Sequence, residues 1–368
     1  MRITVDGKRF LEKISLANRF TSYRLLSSSS LQGVLIKSEE KGIGFFSTNL
    51  NSYFVSFLEL KNKKNDSFNI VVEPKKIIEF LSLLPPGEIN IEITNNQVII
   101  NKEKTKGSFP LLEEKDFPLP PKTKGKGQKI PASFFKKIAL VLFSSSSDIS
   151  RPVLTGVNFV SQEEETKIVT TDGFRLSLLK TKRQEVFPQA IIPAETLGEV
   201  LKIITDEEGV LVNYLSEEKM LAFSLGESTI FSRLIEGEFP PFEKVIPTER
   251  KTVVEVDREE LQQKIKIISV FVREKSNVII LDFQKEGLYL RSRAEEKDQN
   301  TAFQEIGLEG EEQKVAFNFK FLLDFLNQVG GEKIFIEILR SDAPVVFKSD
   351  KIPEYLHIIM PVRIQEEG

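Results

Sequence analysis

The chain repeats itself. Leu112, Asp116, Phe117 and Pro118 recur as Leu234, Glu238, Phe239 and Pro240, a shift of 122 residues, and Met360-Pro361 is a fainter echo a further 121 along. Each copy opens with apolar residues at i, i+4, one face of a helix: Phe10/Ile14, Phe134/Ile138 and Leu261/Ile265. Each then reaches a second apolar helix, with Ile78/Leu81, Leu197/Val200 and Leu322/Phe325 at i, i+3. A unit of about 120 residues can close its own core, whereas solenoid units of roughly 20–50 cannot. The period therefore implies three whole domains, 1–121, 122–247 and 248–368. Like domains in series, related by one repeated rotation, tend towards a curved or closed assembly.

The copies share a coarse outline of class α+β. In the first, a strand at 1–5 precedes a helix from about Asp6 to Asn18, with strands near 31–37, 42–48 and 51–60. A second helix opens at Glu73-Pro74 and ends at Pro85-Pro86-Gly87; strands follow near 88–93, 97–102 and 106–112. Pro74 and Pro193 both sit where a helix begins, where a missing N–H does no harm. After the second helix each copy turns and alternates, as in Gly87-Glu88-Ile89-Asn90-Ile91, Gly209-Val210-Leu211-Val212 and Gly331-Glu332-Lys333-Ile334-Phe335-Ile336. Alternation of this kind marks half-buried antiparallel strands.

The middles of the first two copies also align. Gly33 to Asn49 spans 16 residues, as does Gly156 to Asp172; in the third copy Ile279 falls at the glycine position and Glu295 at the Asx position. Pro118-Leu119-Pro120-Pro121 and the basic run at 122–129 read as a solvated connector, without aromatic partners for bases. A second connector runs from Pro240 to about Thr252.

Chemistry is scarce. With no cysteine there is no disulfide framework, thiolate metal site or thiol nucleophile. His357, the single histidine, cannot build a multi-histidine metal site and lies in an apolar C-terminal strand. Gly42-Ile43-Gly44 lacks the third glycine and helix start of a dinucleotide site, and no phosphate loop or nucleophile elbow occurs. No apolar run approaches the length of a membrane span, and the N-terminus starts as a strand rather than a signal peptide, which points to a soluble, cytoplasmic chain without cofactor, metal or membrane partner. The formal charge of −3 is uneven: +3 over residues 1–121, −1 over 122–247 and −5 over 248–368. A tight nucleic-acid binder usually carries a basic excess, so any hold on DNA must rest on local placement of charge or on topology.

Two segments exceed what connectors need. Thr170-Thr171-Asp172-Gly173-Phe174-Arg175-Leu176 reads as a hairpin whose Asp-Gly supplies positive φ angles. Phe239-Pro240-Pro241-Phe242-Glu243-Lys244-Val245-Ile246-Pro247 reads as an interdomain link. A third, Ile358-Ile359-Met360-Pro361-Val362-Arg363-Ile364, is apolar near a chain end that would ordinarily fray. Together they make an apolar cleft rimmed by Arg175, Lys244 and Arg363.

The repeats and these three segments resemble the bacterial DNA polymerase III beta subunit, the sliding clamp, over essentially the whole chain. The resemblance implies three tandem DNA-clamp domains, with two inner helices against outer antiparallel sheets, forming a head-to-tail homodimeric ring around duplex DNA. It implies no catalysis: such a clamp tethers the replicative polymerase for processivity and is loaded by an ATPase. Carried over by position, a partner-peptide pocket comprises Leu154, Thr171, Gly173, Phe174, Arg175, Leu176, Pro240, Lys244, Val245, Asn318, Phe321, Val345, Ile358, Met360, Pro361, Val362 and Arg363. DNA contacts fall to Arg24, Lys76 and Arg151, with Lys75, Lys136, Lys137 and Lys264 as neighbours. Leu81, Phe109 and Leu111 of one chain meet Val270 and Phe271 of a second. The chain departs from the family around Leu25–Leu31, at Phe174 where a histidine is common, at Glu195, and in the Gln365–Gly368 extension. The main rival is a repeat-built scaffold ring that docks peptides without DNA.

Overall fold

Strand pairing, more than chain order, decides which parts of the molecule are compact together. The computed structural model describes residues 1–22, 29–40, 42–60, 67–123, 125–205, 209–274, 276–292 and 300–363. The first copy runs β1 (Arg2–Asp6), α1 (Gly7–Asn18), β2 (Val34–Glu39), β3 (Gly42–Thr48), β4 (Ser52–Glu59), β5 (Asn69–Val72), α2 (Pro74–Ser82), β6 (Glu88–Ile93), β7 (Gln97–Lys102) and β8 (Thr105–Leu112). The second runs β9 (Gln128–Ile130), α3 (Ala132–Leu142), β10 (Gly156–Gln162), β11 (Glu165–Thr171), β12 (Arg175–Lys182), β13 (Ala190–Pro193), α4 (Ala194–Ile203), β14 (Val210–Leu215), β15 (Met220–Leu225) and β16 (Ser228–Arg233). The third runs β17 (Thr252–Asp257), α5 (Arg258–Ser269), β18 (Val278–Gln284), β19 (Gly287–Ser292), β20 (Thr301–Gln304), β21 (Gly307–Gly310), β22 (Gln313–Asn318), α6 (Phe319–Gln328), β23 (Lys333–Ile338), β24 (Val345–Ser349) and β25 (Tyr355–Ile359).

The helices start where the sequence caps them. The Asp6 carboxylate accepts from Arg9 N at 2.8 Å and that of Asp257 from Glu260 N at 2.8 Å, while Asn318 accepts from Lys320 N at 3.1 Å. The predicted apolar pairs of the first helices, Phe10/Ile14, Phe134/Ile138 and Leu261/Ile265, are buried, as are Leu197/Val200 and Leu322/Phe325. In α2 the buried pair is Ile77/Leu81, and Ile78 is only half covered, so the inward face lies one residue earlier than expected. The strand β5 was not foreseen; it is four residues long and too short to show a period.

The first two copies each hold two sets of four antiparallel strands and the third a set of five and a set of four, and neighbouring copies fuse one set each. In the first compact unit, Met1–Ala132 with Lys202–Leu234, the order is β1-β6-β7-β8-β5-β2-β3-β4-β16-β15-β14-β9. The last hairpin of the second copy thus belongs to this unit because β16 pairs with β4. The second unit, Ser133–Leu201 with Ile235–Gly368, holds the order β13-β10-β11-β12-β25-β24-β23-β17-β21 and a separate sheet β20-β19-β18-β22. Here β25 pairs with β12 as β16 does with β4. The two junctions share one register: Ser52↔Ser232 and Ser56↔Ser228 in the first correspond to Arg175↔Ile359 and Leu179↔Tyr355 in the second.

The matched glycines mark close approach. A Cβ on Gly33 would lie 2.5 Å from Val71 Cγ1, 2.9 Å from Leu112 Cδ1 and 3.0 Å from Val72 O. On Gly156 it would lie 2.4 Å from Ile191 Cγ2, 2.8 Å from Ile235 Cδ1 and 3.0 Å from Ile192 O. Leu112 therefore corresponds to Ile235, one residue beyond the Leu234 expected from sequence. Gly156 pairs with Pro193 and Val278 with Asn318, each the residue just before a second helix, so Val278 rather than Ile279 takes the glycine position in the third copy. Glu295 lies outside the described residues.

Gly33→Ala and Gly156→Ala should each destabilise the fold by about 1–3 kcal/mol through overpacking, seen as a lower thermal or denaturant midpoint. Gly198→Ala, inside α4 with nothing within 4 Å of the added methyl, should do the opposite by up to about 1 kcal/mol.

Candidate functional site

The turn joining β11 to β12 is built by its own side chains. Asp172 Oδ1 accepts from Phe174 N at 2.9 Å and Arg175 N at 3.0 Å, and Thr171 Oγ1 donates to Arg175 O at 2.6 Å while accepting from Gly173 N at 3.1 Å. The positive φ falls on Gly173 alone, at +94°, rather than on both residues of the Asp-Gly pair. The same bonds build the turn between β3 and β4: Asn49 Oδ1 accepts from Asn51 N at 3.1 Å and Ser52 N at 2.8 Å, and Thr48 Oγ1 donates to Ser52 O at 2.8 Å. Leu50 takes the positive φ there, at 72°. The repeat therefore extends to individual hydrogen bonds.

In the second unit this turn presents Phe174, 60% exposed, and positions Arg175, whose side chain is only 11% exposed. Arg175 Nε donates to Asp172 Oδ2 at 2.9 Å and Nη1 to Asp324 Oδ2 at 2.6 Å. Its guanidinium lies 4.6 Å from the centre of the Phe321 ring and 5.4 Å from that of Phe143. A nearly buried cation is tolerable only when so paired and stacked. Asp324 and Phe143 were not foreseen; the available signal was Phe321 and Asp324 at i, i+3 on α6, which share a face.

The C-terminal segment does not fray. Met360 N donates to Phe174 O at 2.8 Å and Val362 N to Ala316 O at 2.8 Å, so alternate residues tie it to the turn and to β22. Below it, Leu176 and Ile358 join Val169, Leu178, Phe242 and Val346 in one apolar cluster, against which Phe239 and Ile246 pack. The 239–247 segment is pinned further by Lys167 Nζ on Glu243 Oε1 at 2.6 Å. Of the expected pocket residues, Leu154, Thr171, Leu176, Val345 and Ile358 are buried. Gly173, Phe174, Pro240, Lys244, Val245 and Arg363 are exposed, and Arg175, Phe321, Met360, Pro361 and Val362 are half-buried. Asn318 spends its side-chain oxygen on capping α6.

Next to the Leu176–Ile358 pair the same two strands carry a polar knot. Ser177 Oγ bonds Ser144 Oγ at 2.7 Å, Tyr355 OH at 3.1 Å and His357 Nδ1 at 2.9 Å. His357 is fully buried and stacks on Phe325 at 5.1 Å, and its Nε2 has no hydrogen-bond partner among the described residues. Burial first, and the Arg175 charge second, hold the imidazole well below its ordinary value. Burial likewise raises the Tyr355 phenol. A neutral histidine sealed from solvent is structural, in keeping with its sequence context. Among the described residues no cluster of metal-ligating side chains occurs, and no helix is long and apolar enough to cross a membrane.

The expected DNA residues are scattered over several helices. Lys75 and Lys76 are exposed on α2, Lys136 on α3. Lys137 Nζ is engaged by Glu354 at 2.7 Å, Lys264 by Glu260 at 3.5 Å, and Arg151 by Asp148 at 3.3 Å. Arg24, the Leu25–Ser28 stretch and Gln365–Gly368 lie outside the described residues. Among the expected interface residues Leu81 is buried in the first unit, Phe109 and Leu111 are half-buried on β8, and Phe109 meets Phe80 edge-on at 5.6 Å. Val270 and Phe271 stand out at 59% and 49% exposure.

Comparison with known proteins agrees with this architecture. Family models of the DNA polymerase III beta subunit match residues 1–121 (N-terminal domain), 129–241 (central domain) and 243–363 (C-terminal domain). The chain is 26% identical over 378 residues to the beta sliding clamp of Bacillus subtilis, covering 99% of this chain and 100% of that one. To the beta sliding clamp of Halalkalibacterium halodurans it is 27% identical over 382 residues, with the same coverage. The crystal structure of the DNA polymerase III beta subunit of Thermotoga maritima shares the fold, with a TM-score of 0.90 at 23% identity over 99% of this chain and 100% of that one.

His357 gives the site a pH signature. Its folded-state pKa lies below the unfolded value of 6.5, so the unfolded chain binds the extra proton and stability falls as pH drops below that value. Chemical denaturation between pH 7 and pH 5.5 should show a loss of up to about 1.4 kcal/mol per pH unit that His357→Gln removes. Equal slopes in parent and variant would refute the assignment.

Proposed function

The chain belongs to the DNA polymerase III beta-subunit family, the beta sliding clamps, and from that premise we propose that two copies close head to tail into a ring that encircles duplex DNA. In this reading residues 1–121, 122–247 and 248–368 are the three clamp domains of each chain. The observation that supports closure is a pair of unmatched edges. The strands β4 and β12 each take up the last strand of the following copy, β16 and β25. Their counterpart in the third copy, β20, has no outer partner strand among the described residues. At the other end β8, counterpart of β16 and β25, pairs with β7 along its length but on its other side only at Leu111 and Leu112. A second copy satisfies both edges at once. Phe303 on β20 is 40% exposed, as Val270 and Phe271 after α5 are at 59% and 49%, and in this reading these face the partner's Phe109 and Leu111.

The hold on DNA is then mechanical and needs only weak contacts, through Lys75, Lys76 and Lys136 on the helices, with Arg24, Lys137, Arg151 and Lys264 as further candidates. A chain of net charge −3 suits sliding better than tight neutralisation of phosphates would. The protein performs no catalysis in this reading. It serves as a processivity factor that a clamp-loader ATPase opens and a replicative polymerase grips. Retention on closed circular DNA, lost when the circle is cut, tests encirclement; equal retention on both forms would leave the peptide-docking scaffold as the better reading.

The surface around Phe174, Arg175, Met360 and Pro361 takes short peptides from polymerase, loader and repair partners. Burying one leucine and one aromatic side chain contributes roughly 1.5–3 kcal/mol each. These two anchors supply about 3–6 kcal/mol together before ordering costs, so capture is weak enough for partners to exchange. Met360→Ala with Pro361→Ala should abolish capture of a clamp-binding peptide while leaving the dimer intact by sedimentation. Unchanged peptide affinity would remove the site assignment.

A further inference from the structure

The two junctions inside the chain share more than strand register. In the first, Phe57 N donates to Glu227 O at 3.2 Å, and the Glu227 carboxylate takes Lys13 Nζ at 2.8 Å and Arg9 Nη2 at 2.9 Å. In the second, Lys180 N donates to Glu354 O at 2.9 Å, and the Glu354 carboxylate takes Lys137 Nζ at 2.7 Å. The lysine and its bond come first among the causes that hold both carboxyls below their ordinary range. In each case the acid sits just before the incoming last strand, and the lysine stands three residues after the matched buried phenylalanine of the copy's first helix, Phe10 or Phe134.

The third copy supplies the same frame with different charges. The cross-strand row Lys37–Gly44–Phe57 corresponds to Val160–Lys167–Lys180 and to Asp282–Tyr289–Phe303, so the Phe303 N–H is the counterpart donor on β20. On α5 the lysine position is Lys264, and the Arg9 position is Glu260; both Arg9 and Glu260 receive the helix cap through their backbone N–H. The incoming hairpin is β7–β8. Its two-residue turn Glu103-Lys104 matches Gly226-Glu227, each with its first residue at positive φ, 51° and 55°. Lys104 therefore stands where Glu227 does. Sign has changed at both places, acid to base on the hairpin and base to acid on the helix.

We propose that the junction between two chains is held by an ion pair of reversed polarity, Glu260 of one chain with the partner's Lys104. Glu260 already holds Lys264 at 3.5 Å, so in the closed junction one carboxylate lies between two cations, as Glu227 lies between Arg9 and Lys13. Net charge favours the same meeting, because head-to-tail closure brings the first copy, at +3, against the third, at −5. The inference rests on the ring reading and adds to it the residues that recognise the second copy.

The test is the dimer dissociation constant by sedimentation at low ionic strength. Lys104 is exposed and Glu260 half-buried, so folding should survive, which circular dichroism checks. Glu260→Lys sets three cations together at each of the ring's two junctions and should weaken dimerisation roughly ten-fold. Adding Lys104→Glu recreates the arrangement of Arg9, Lys13 and Glu227 and should restore the parent value to within about three-fold. A Glu260→Lys chain that dimerises like the parent, or a double variant as weak as the single, overturns the ion pair while leaving the ring in place. A parent that stays monomeric at every concentration overturns the ring reading and the pair with it.

Discussion

Backbone pairing between the last strand of one copy and the fourth core strand of the copy before it is the interaction on which the rest depends. A domain of two four-stranded sheets leaves long edges of unpaired N–H and C=O groups, which are a liability in isolation. Here two such edges are consumed by β4 with β16 and by β12 with β25. β3, at the heart of the first fused sheet, is buried along its whole length, so a slip of one residue beside it would turn buried side chains to the wrong side. That requirement is why both junctions have one register, and why the same helix lysine meets the same hairpin position twice.

Having fixed the frame, the chain varies its contents. At the first junction the row occupied by Ser177 and His357 holds Phe54 and Ile230, with Phe20 stacked on Phe54 at 5.2 Å. Tyr53 and Phe231 fill the place of Leu176 and Ile358. The turn residues Leu50, Asn51 and Ser52 become Gly173, Phe174 and Arg175. Three changes in one unaltered turn thus convert a filled seam into a surface with an aromatic outside and a cation held beneath it by Asp172 and Asp324. The scaffold is shared; the site is the difference between copies.

That relation explains what could be read from sequence. Helix faces were legible because Phe10/Ile14 and Leu261/Ile265 declare a period, and the repeat because punctuation recurs at Gly33/Gly156 and Pro118/Pro240. Single-residue register is not: the inward residue is Ile77 rather than Ile78, the glycine counterpart Val278 rather than Ile279 and the Leu112 counterpart Ile235 rather than Leu234, since neighbouring apolar residues are equivalent in sequence and only the pairing partner separates them. The motif around Arg175 was visible, but Asp324, 149 residues away, enters the site through space alone. The same holds for the pairing of Lys137 with Glu354, 217 residues apart, which no local pattern announces.

These ion pairs bear on how a clamp of this charge would hold DNA. Among the described residues expected to meet phosphate, Lys137, Arg151 and Lys264 each face a carboxylate of their own unit. A cation already paired releases fewer counterions on meeting a phosphate, so these three add little to open-ended binding and little to its salt dependence. Two of them lie where copies join or, on the proposed reading, where chains join. On the proposed reading Lys137 and Lys264 thus serve seams rather than phosphates. For a ring that grips by enclosure this is the economical placement: strength at the seam sets how long the ring stays shut, whereas strength at the phosphates would slow its travel along the duplex.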